Sequence, residues 1–400
     1  MASMTSVSKE IYIVSGVRTA IGTFGGALKN HTPTELAALC TAESVKRAGV
    51  DPGEIGHVVF GHVINTEPKD MYLSRVAALK AGLPIESPAM NVNRLCGSGL
   101  QAIVSAAQAL ILGEGDLAVA GGSEVMSRAP YLMPFVRWGR KMGDVQAVDM
   151  LVGALTDPFG HGHMGVTAEN IARRRSIPRE EQDAFAAESH ARAARAIEEK
   201  RFTSQILPIT VKDGSAERVF EIDENVRAGT TAGKLAGLPP VFEKDGSVTA
   251  GNASSINDGA AALVLASADT VSSKGLKPMV RILGWAHAGV APDEMGLGPV
   301  PAVRKLLKHT GLSIGDFDVI ESNEAFAAQA CAVSRALGFA AEKTNPNGGA
   351  IALGHPVGAS GAIIAVKAIY ELQRVSARYA LVTMCIGGGQ GIAVALERVM

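Results

Sequence analysis

Ser98-Gly99-Leu100-Gln101-Ala102-Ile103-Val104 begins a segment that passes Gly113 and ends in Asp116-Leu117-Ala118-Val119-Ala120. The same plan returns at an offset of 262 residues, where Ser360-Gly361-Ala362 leads to Tyr379-Ala380-Leu381-Val382. Leu100, Ile103, Val104, Ala107, Leu110 and Ile111 follow the i, i+3, i+4, i+7 spacing of a helix, and Gly113 ends it. Leu117 to Ala120 then reads as a short buried strand. In the second copy the pattern predicts a helix over Ala362 to Leu372 and a strand over Tyr379 to Met384. Upstream, Ala48-Gly49-Val50 and Val58-Val59-Phe60 are answered by Thr310-Gly311-Leu312 and Val319-Ile320, so the register holds over about 75 residues without a gap. Two ordinary βα units of equal spacing could match once by accident. Three matches in one register favour an internal duplication. Alternating strands and helices imply an α/β protein, with mostly parallel sheets covered by helices.

Composition fits that class and excludes others. The chain has 400 residues, 47% of them hydrophobic, which suffices for a large core. Charged residues make up 19% and the formal net charge is −1, which argues against nucleic acid as a partner and against disorder. No apolar run approaches the roughly 20 residues of a membrane span. Met1 to Lys9 is polar and lacks a signal core, and Glu397-Arg398-Val399-Met400 carries no organelle address, so a cytoplasmic location is expected. The four cysteines, Cys40, Cys96, Cys331 and Cys385, form no CxxC pair. Each is therefore an apolar filler or a reactive thiol.

The stretch between the copies, 124–250, is of different character, richer in charge, Met and turn residues. Its clearest element is an amphipathic helix from Pro178 to about Lys200, after Ser176. Two readings stand: a solvated insertion, or a cap over the site.

The glycine-rich turns carry the chemistry. Asn93-Arg94-Leu95-Cys96-Gly97-Ser98-Gly99 places a cysteine at a helix start. Unpaired N–H groups and the helix dipole there are expected to lower the thiol pKa and activate it. The matching position in the second copy is Gly358, and just upstream lies Gly354-His355-Pro356. That histidine is either a solvated turn residue or, if duplicated turns meet at a shared axis, a base beside Cys96. Asn323 matches Gly61 and Cys385 matches Ser123, both at the C-terminal ends of strands, where α/β sheets bind ligands. Ile386-Gly387-Gly388-Gly389 after Cys385 leaves backbone N–H groups for an oxyanion. No Walker, GxSxG or GxGxxG pattern offers a competing site. His161-Gly162-His163 has no third ligand at useful spacing, so no metal is expected.

These motifs resemble the thiolase family. Asn93 to Gly99 is similar to its acylation motif, and Asn323-Glu324-Ala325-Phe326 to its NEAF motif. Asn347 to Gly361 resembles its histidine motif, and Cys385 to Gly389 its CxGGG motif. Gly251-Asn252-Ala253-Ser254 with Asn257-Asp258-Gly259-Ala260 resembles the segment that closes the N-terminal half. The resemblance covers essentially the whole chain and is nearest to bacterial acetyl-CoA acetyltransferases and broad-range β-ketothiolases. Ser255 departs from it, since Gly is common after GNAS.

The resemblance implies a thiolase fold: two pseudo-symmetric α/β halves stacked as αβαβα layers, with an inserted loop domain. Its divisions would be 1–123, an insertion over 124–250, a return segment over 251–275, and a C-terminal half over 276–400. It implies reversible acyl transfer between CoA thioesters of short chain length. Cys96 would be acylated. His355 would activate it and, with a water held by Asn323, stabilise the thioester enolate. Cys385 would move the α-proton, and the N–H groups of Cys96 and Gly387 would form the second oxyanion hole. Leu155, His163, Met164, Arg227, Phe242, Ser254, Ala325 and Phe326 would contact CoA, with Arg227 suited to a phosphate. CoA enters as substrate and product, no cofactor is held permanently, and a homotetramer built from dimers is implied. A ketoacyl-carrier-protein synthase would lack the second cysteine, a non-catalytic acyl carrier would be expected to lose Cys96 or His355, and a thiol redox protein would pair Cys96 with Cys385 in a disulfide.

Overall fold

The computed structural model describes residues 9–213 and 216–399. The polar start therefore lies outside the described residues except for Lys9, as does the final Met400. The main elements are β1 (Ile11–Thr19), α1 (Pro33–Ala48), β2 (His57–Gly61), β3 (Ala89–Val92), α2 (Ser98–Leu112) and β4 (Leu117–Val125). The intervening stretch carries α3 (Met164–Arg175) and α4 (Arg179–Glu198). The chain continues with β5 (Asn257–Ser267), β6 (Val280–Gly289), α5 (Pro299–Thr310), β7 (Val319–Ser322), α6 (Ala327–Leu337), α7 (Ser360–Arg374), β8 (Tyr379–Ile386) and β9 (Gln390–Arg398).

The repeat is visible in three dimensions at the register read from the sequence. α2 and α7 both span 15 residues and begin 262 positions apart, as do β2 and β7, and β4 and β8. Strands run in the order β7-β8-β9-β6-β1-β5-β4-β2-β3. Only Tyr12 with Arg281 and Ile13 with Val280 pair across the β6–β1 seam between the halves. The sheets are mixed rather than mostly parallel. β2 pairs in parallel with β3 and β4, and β7 with β8, as the repeated βα units dictate. β5 instead runs antiparallel to both β1 and β4, and β9 to both β6 and β8. β9 reverses because only the tight glycine turn after β8 connects them, and β5 arrives from the insertion. Neither reversal is encoded in the repeat.

α2 and α7 pack against each other and against strands of both halves. α2 is apolar on nearly every face, the signature of a helix that is covered all round, and α7 is buried over most of its length. Leu95–Leu112 is thus long and apolar enough to pass for a membrane span, contrary to the expectation that no run approaches one, yet 61% of it is buried inside the protein. α7 also carries Lys367, which is buried. Its Nζ donates to Glu321 at 2.8 Å and to the Gly348 carbonyl at 2.7 Å, which satisfies the charge.

Candidate active site

The nucleophile turn is shaped by its neighbours. The Asn93 side-chain oxygen accepts from Leu95 N at 3.0 Å, and Ser98 Oγ accepts from Arg94 N at 2.8 Å. Leu95 is held at φ +46°, a conformation that costs a residue with a Cβ on the order of 1 kcal/mol or more. Gly97, the N-cap of α2, lies close to the other half: a Cβ there would be 2.6 Å from Ile386 Cδ1, and that side chain would have to move. Cys96 therefore stands at the tip of a constrained turn, half-buried, facing β8.

From the C-terminal half come His355, Cys385 and Gly387. All three, with Cys96, line a cavity of about 540 Å³. His355 is buried and held at both ends. Its N–H donates to Asn257 Oδ1 at 2.8 Å, and its Nδ1 lies 2.6 Å from Ser360 Oγ. Ser360 Oγ donates its own proton to the Pro356 carbonyl at 2.8 Å, so it accepts from Nδ1–H. That fixes the tautomer: the lone pair of Nε2 faces Asn323, whose Nδ2 is 3.4 Å away. Asn323 is buried just after β7. It is not part of the cavity lining, and its Oδ1 has no hydrogen-bond partner among the described residues.

Electrostatics correct one expectation. The Cys96 thiol is raised to about 11, mainly by burial, and the nearby Glu124 carboxylate raises it further. The helix start does not offset this, because its donors are engaged: Gly97 N donates to Arg94 O and Ser98 N to Leu95 O. What remains aimed at the sulfur is the N–H of Gly387 and that of Cys96 itself, both of which favour the thiolate. Burial also pushes the Cys385 thiol up, with Cys96 adding to the effect, so the two sulfurs sense each other. Burial lowers His355 to about 4, leaving it neutral near pH 7. The resting site is thus a neutral thiol beside a neutral imidazole.

The remaining predicted residues fall on the same cavity. Leu155, His163, Met164, Arg227 and Phe242 from the insertion, and Ser254, Ala325 and Phe326, all line it. The His163 ring stacks on Phe242 at 4.8 Å between centroids, and Phe242 meets Phe326 edge-on at 6.2 Å. His163 is also the side-chain cap of α3, its Nδ1 accepting from Gly165 N at 3.1 Å. Arg227 is exposed, and among the described residues its guanidinium has no ion-pair or hydrogen-bond partner. Cys40 and Cys331 lie elsewhere, buried and pushed up to about 12. Among the described residues no group of three or more His, Cys, Asp or Glu is placed to hold a metal ion.

Sequence reasoning missed the supports. Ser360 was visible only as a repeat match with Ser98, and Asn257 only as part of a closing segment. Ser255 lines the cavity and donates to Asn257 Oδ1 at 2.8 Å, the same oxygen that holds His355 N–H. Met126 and Val357 form an apolar wall beside Cys96, with no periodic signal to mark them.

Comparison with known proteins agrees with this arrangement. The family model for the thiolase N-terminal domain matches residues 11–269, and that for the thiolase C-terminal domain matches residues 276–398. Beta-ketothiolase BktB of Cupriavidus necator is 57% identical over 98% of this chain and 100% of its own. An acetyl-CoA acetyltransferase of Pseudomonas aeruginosa is 49% identical over 98% of this chain and 100% of its own. The crystal structure of human mitochondrial 3-ketoacyl-CoA thiolase in complex with CoA superposes with a TM-score of 0.96 at 42% identity, covering 98% of this chain and 99% of that one. With both domain models matched across nearly the whole length and the two thiols on one cavity, the chain belongs to the thiolase family.

Proposed function

We propose that this thiolase transfers short acyl groups between CoA thioesters through an acyl-Cys96 intermediate, in both the condensing and the cleaving direction. His355 Nε2 takes the Cys96 proton as the sulfur attacks the thioester carbonyl, and returns it to the departing CoA thiolate. Cys385 gives its proton to His355 Nε2 and, as thiolate, removes the α-proton of the second acyl-CoA. The resulting enolate is held by the Nε2–H of His355 and a water on Asn323. It attacks the acyl-Cys96 carbonyl, whose oxyanion accepts from the N–H groups of Cys96 and Gly387. Collapse releases the 3-ketoacyl-CoA and the Cys96 thiolate; the proton on His355 passes to that sulfur, and Cys385 keeps the α-proton, so both thiols and the neutral imidazole are restored. One such oxyanion donor is typically worth about 3–4 kcal/mol.

The observation that carries this reading is that two sulfurs from opposite halves open onto one cavity with a neutral imidazole. The inserted residues on that cavity support reading 124–250 as a CoA-binding cap, with Leu155, His163, Met164 and Phe242 along the wall and Arg227 free for a phosphate. Tyr131, Phe135, Trp138 and Met142 are strongly exposed, which supports assembly into a tetramer that covers them. CoA serves as substrate and product, with no cofactor held between turnovers. Acetoacetyl-CoA with CoA tests the function. Loss of the ketoacyl enolate absorbance is expected, and no turnover with either acetoacetyl-CoA or longer 3-ketoacyl-CoA would overturn it.

A further inference from the structure

The duplication gives each catalytic thiol a counterpart in the other half: Gly358 for Cys96 and Ser123 for Cys385, each 262 residues away. Neither counterpart carries a thiol. Next to Ser123, at the C-terminal end of β4, stands the fully buried Glu124.

The Glu124 carboxylate joins the halves. Oε2 accepts from Val63 N at 3.0 Å and from Gly358 N at 2.9 Å, and Oε1 accepts from Ile64 N at 3.1 Å. Val63 and Ile64 follow β2 in the N-terminal half. Gly358 lies three residues after His355, just before α7. A Cβ at position 358 would lie 2.3 Å from Glu124 Oε2, so with the carboxylate in place only glycine fits there without a shift. His62 Nδ1 lies 3.3 Å from Oε1 and 2.8 Å from the Ser123 carbonyl. Burial pushes the Glu124 carboxyl up, and the His62 imidazole and the three N–H bonds counter this only in part. The other ionisable groups facing this region are Asp70, whose Oδ2 lies 3.9 Å from His62 Nε2, and Cys96, with His355 and Cys385 on the far side of the cavity.

We propose that Glu124 is a positioning residue of the reaction: it clamps the turn that carries His355 to the N-terminal half, and so holds the imidazole against Cys96. The inference rests on the thiolase reading of the site. A charge so placed does two separable things. Its hydrogen bonds fix geometry, and a misplacement of about 1 Å at a reacting centre can cost on the order of a hundredfold in rate. Its negative charge also opposes ionisation of Cys96.

The full-length protein tests this. The unmodified enzyme must first turn over acetoacetyl-CoA with CoA, which settles the underlying reading independently. In Glu124→Gln, kcat is expected to fall roughly tenfold to a hundredfold with KM for CoA little changed. The pH midpoint for alkylation of Cys96 by iodoacetamide is expected to move down, since a negative charge has been removed. Glu124→Asp, which keeps the charge and shortens the reach, is expected to lose kcat while leaving that midpoint in place. Unchanged kcat in both variants would overturn the proposal. So would a loss of kcat in Glu124→Gln accompanied only by lower thermal stability, with the midpoint unmoved. If neither variant folds, amide exchange in the unmodified enzyme decides. Gly358 N–H protected like the interior of α7 supports the clamp, and exchange as fast as an exposed loop refutes it.

Discussion

Gly99 and Gly361 occupy equivalent points of the two copies, and each leans on the backbone of the other copy's helix. A Cβ on Gly99 would lie 2.6 Å from Ala362 N, and one on Gly361 would strike Leu100 N. Both are helical glycines, a choice that costs up to about 1 kcal/mol relative to alanine and is justified only by close approach. The crossing brings the starts of α2 and α7 together, and with them Cys96 and the turn of His355.

Gly361→Ala should therefore destabilise the protein by about 1–3 kcal/mol, since neither backbone can yield as a side chain can. The thermal unfolding midpoint, compared with that of an exposed-helix Gly233→Ala control, measures this. Position 233 has open space around it.

The two sulfurs should fail differently. Cys96→Ser is expected to give no acyl-enzyme, read by the mass of the intact protein after acetyl-CoA. Cys385→Ser is expected to acylate at Cys96 yet condense poorly. Acylation lost and condensation spared in the second variant would reverse the assignment.

Ser360→Ala removes the acceptor for His355 Nδ1–H without touching the cavity. A buried donor left unsatisfied costs about 1–3 kcal/mol, so kcat should fall roughly 5- to 150-fold with the CoA KM nearly unchanged. Steady-state kinetics with acetoacetyl-CoA checks it, and Ser360→Thr should restore much of the rate.

Ser255→Gly removes the hydroxyl that steadies Asn257 Oδ1. One net hydrogen bond is worth about 1 kcal/mol, so a loss of roughly fivefold in kcat/KM is expected, recovered in Ser255→Thr.

The acid limb of activity should lie near the about 4 of His355 rather than near 6.5, because burial keeps its imidazole neutral and only the neutral ring accepts the Cys96 proton. Stability follows the same sign. The unfolded chain binds this proton as pH falls below about 6.5, the folded chain only near 4. Stability should thus decline across that window by about 3 kcal/mol on account of His355. A kcat/KM profile and denaturant melts between pH 4 and 7 read both effects.

Much of this was legible in the sequence. The repeat gave the register of α2 with α7 and of β4 with β8, because helix and strand periodicities survive duplication. The predicted site residues all line one cavity except Asn323, which is not part of its lining. Three features were hidden. The antiparallel entry of β5 and β9 is decided by connections that the periodicity does not describe. The ionisation of Cys96 was misread because a helix start favours a thiolate only if its N–H groups are free, and Gly97 N and Ser98 N are used within the turn. Ser360, Asn257 and Glu124 act through single hydrogen bonds between distant segments, which leave no pattern along the chain.

The pairing of Glu124 with Gly358 also bears on how such an enzyme can evolve. The counterpart of the nucleophile turn is packed solid around a buried carboxylate. A cysteine placed at 358 would meet Glu124 and the backbone of His62. Removing Glu124 first would release Val63, Ile64 and Gly358 together. Neither change alone would open a second site there, so substitutions that alter the substrate are expected around the one cleft that the two halves share.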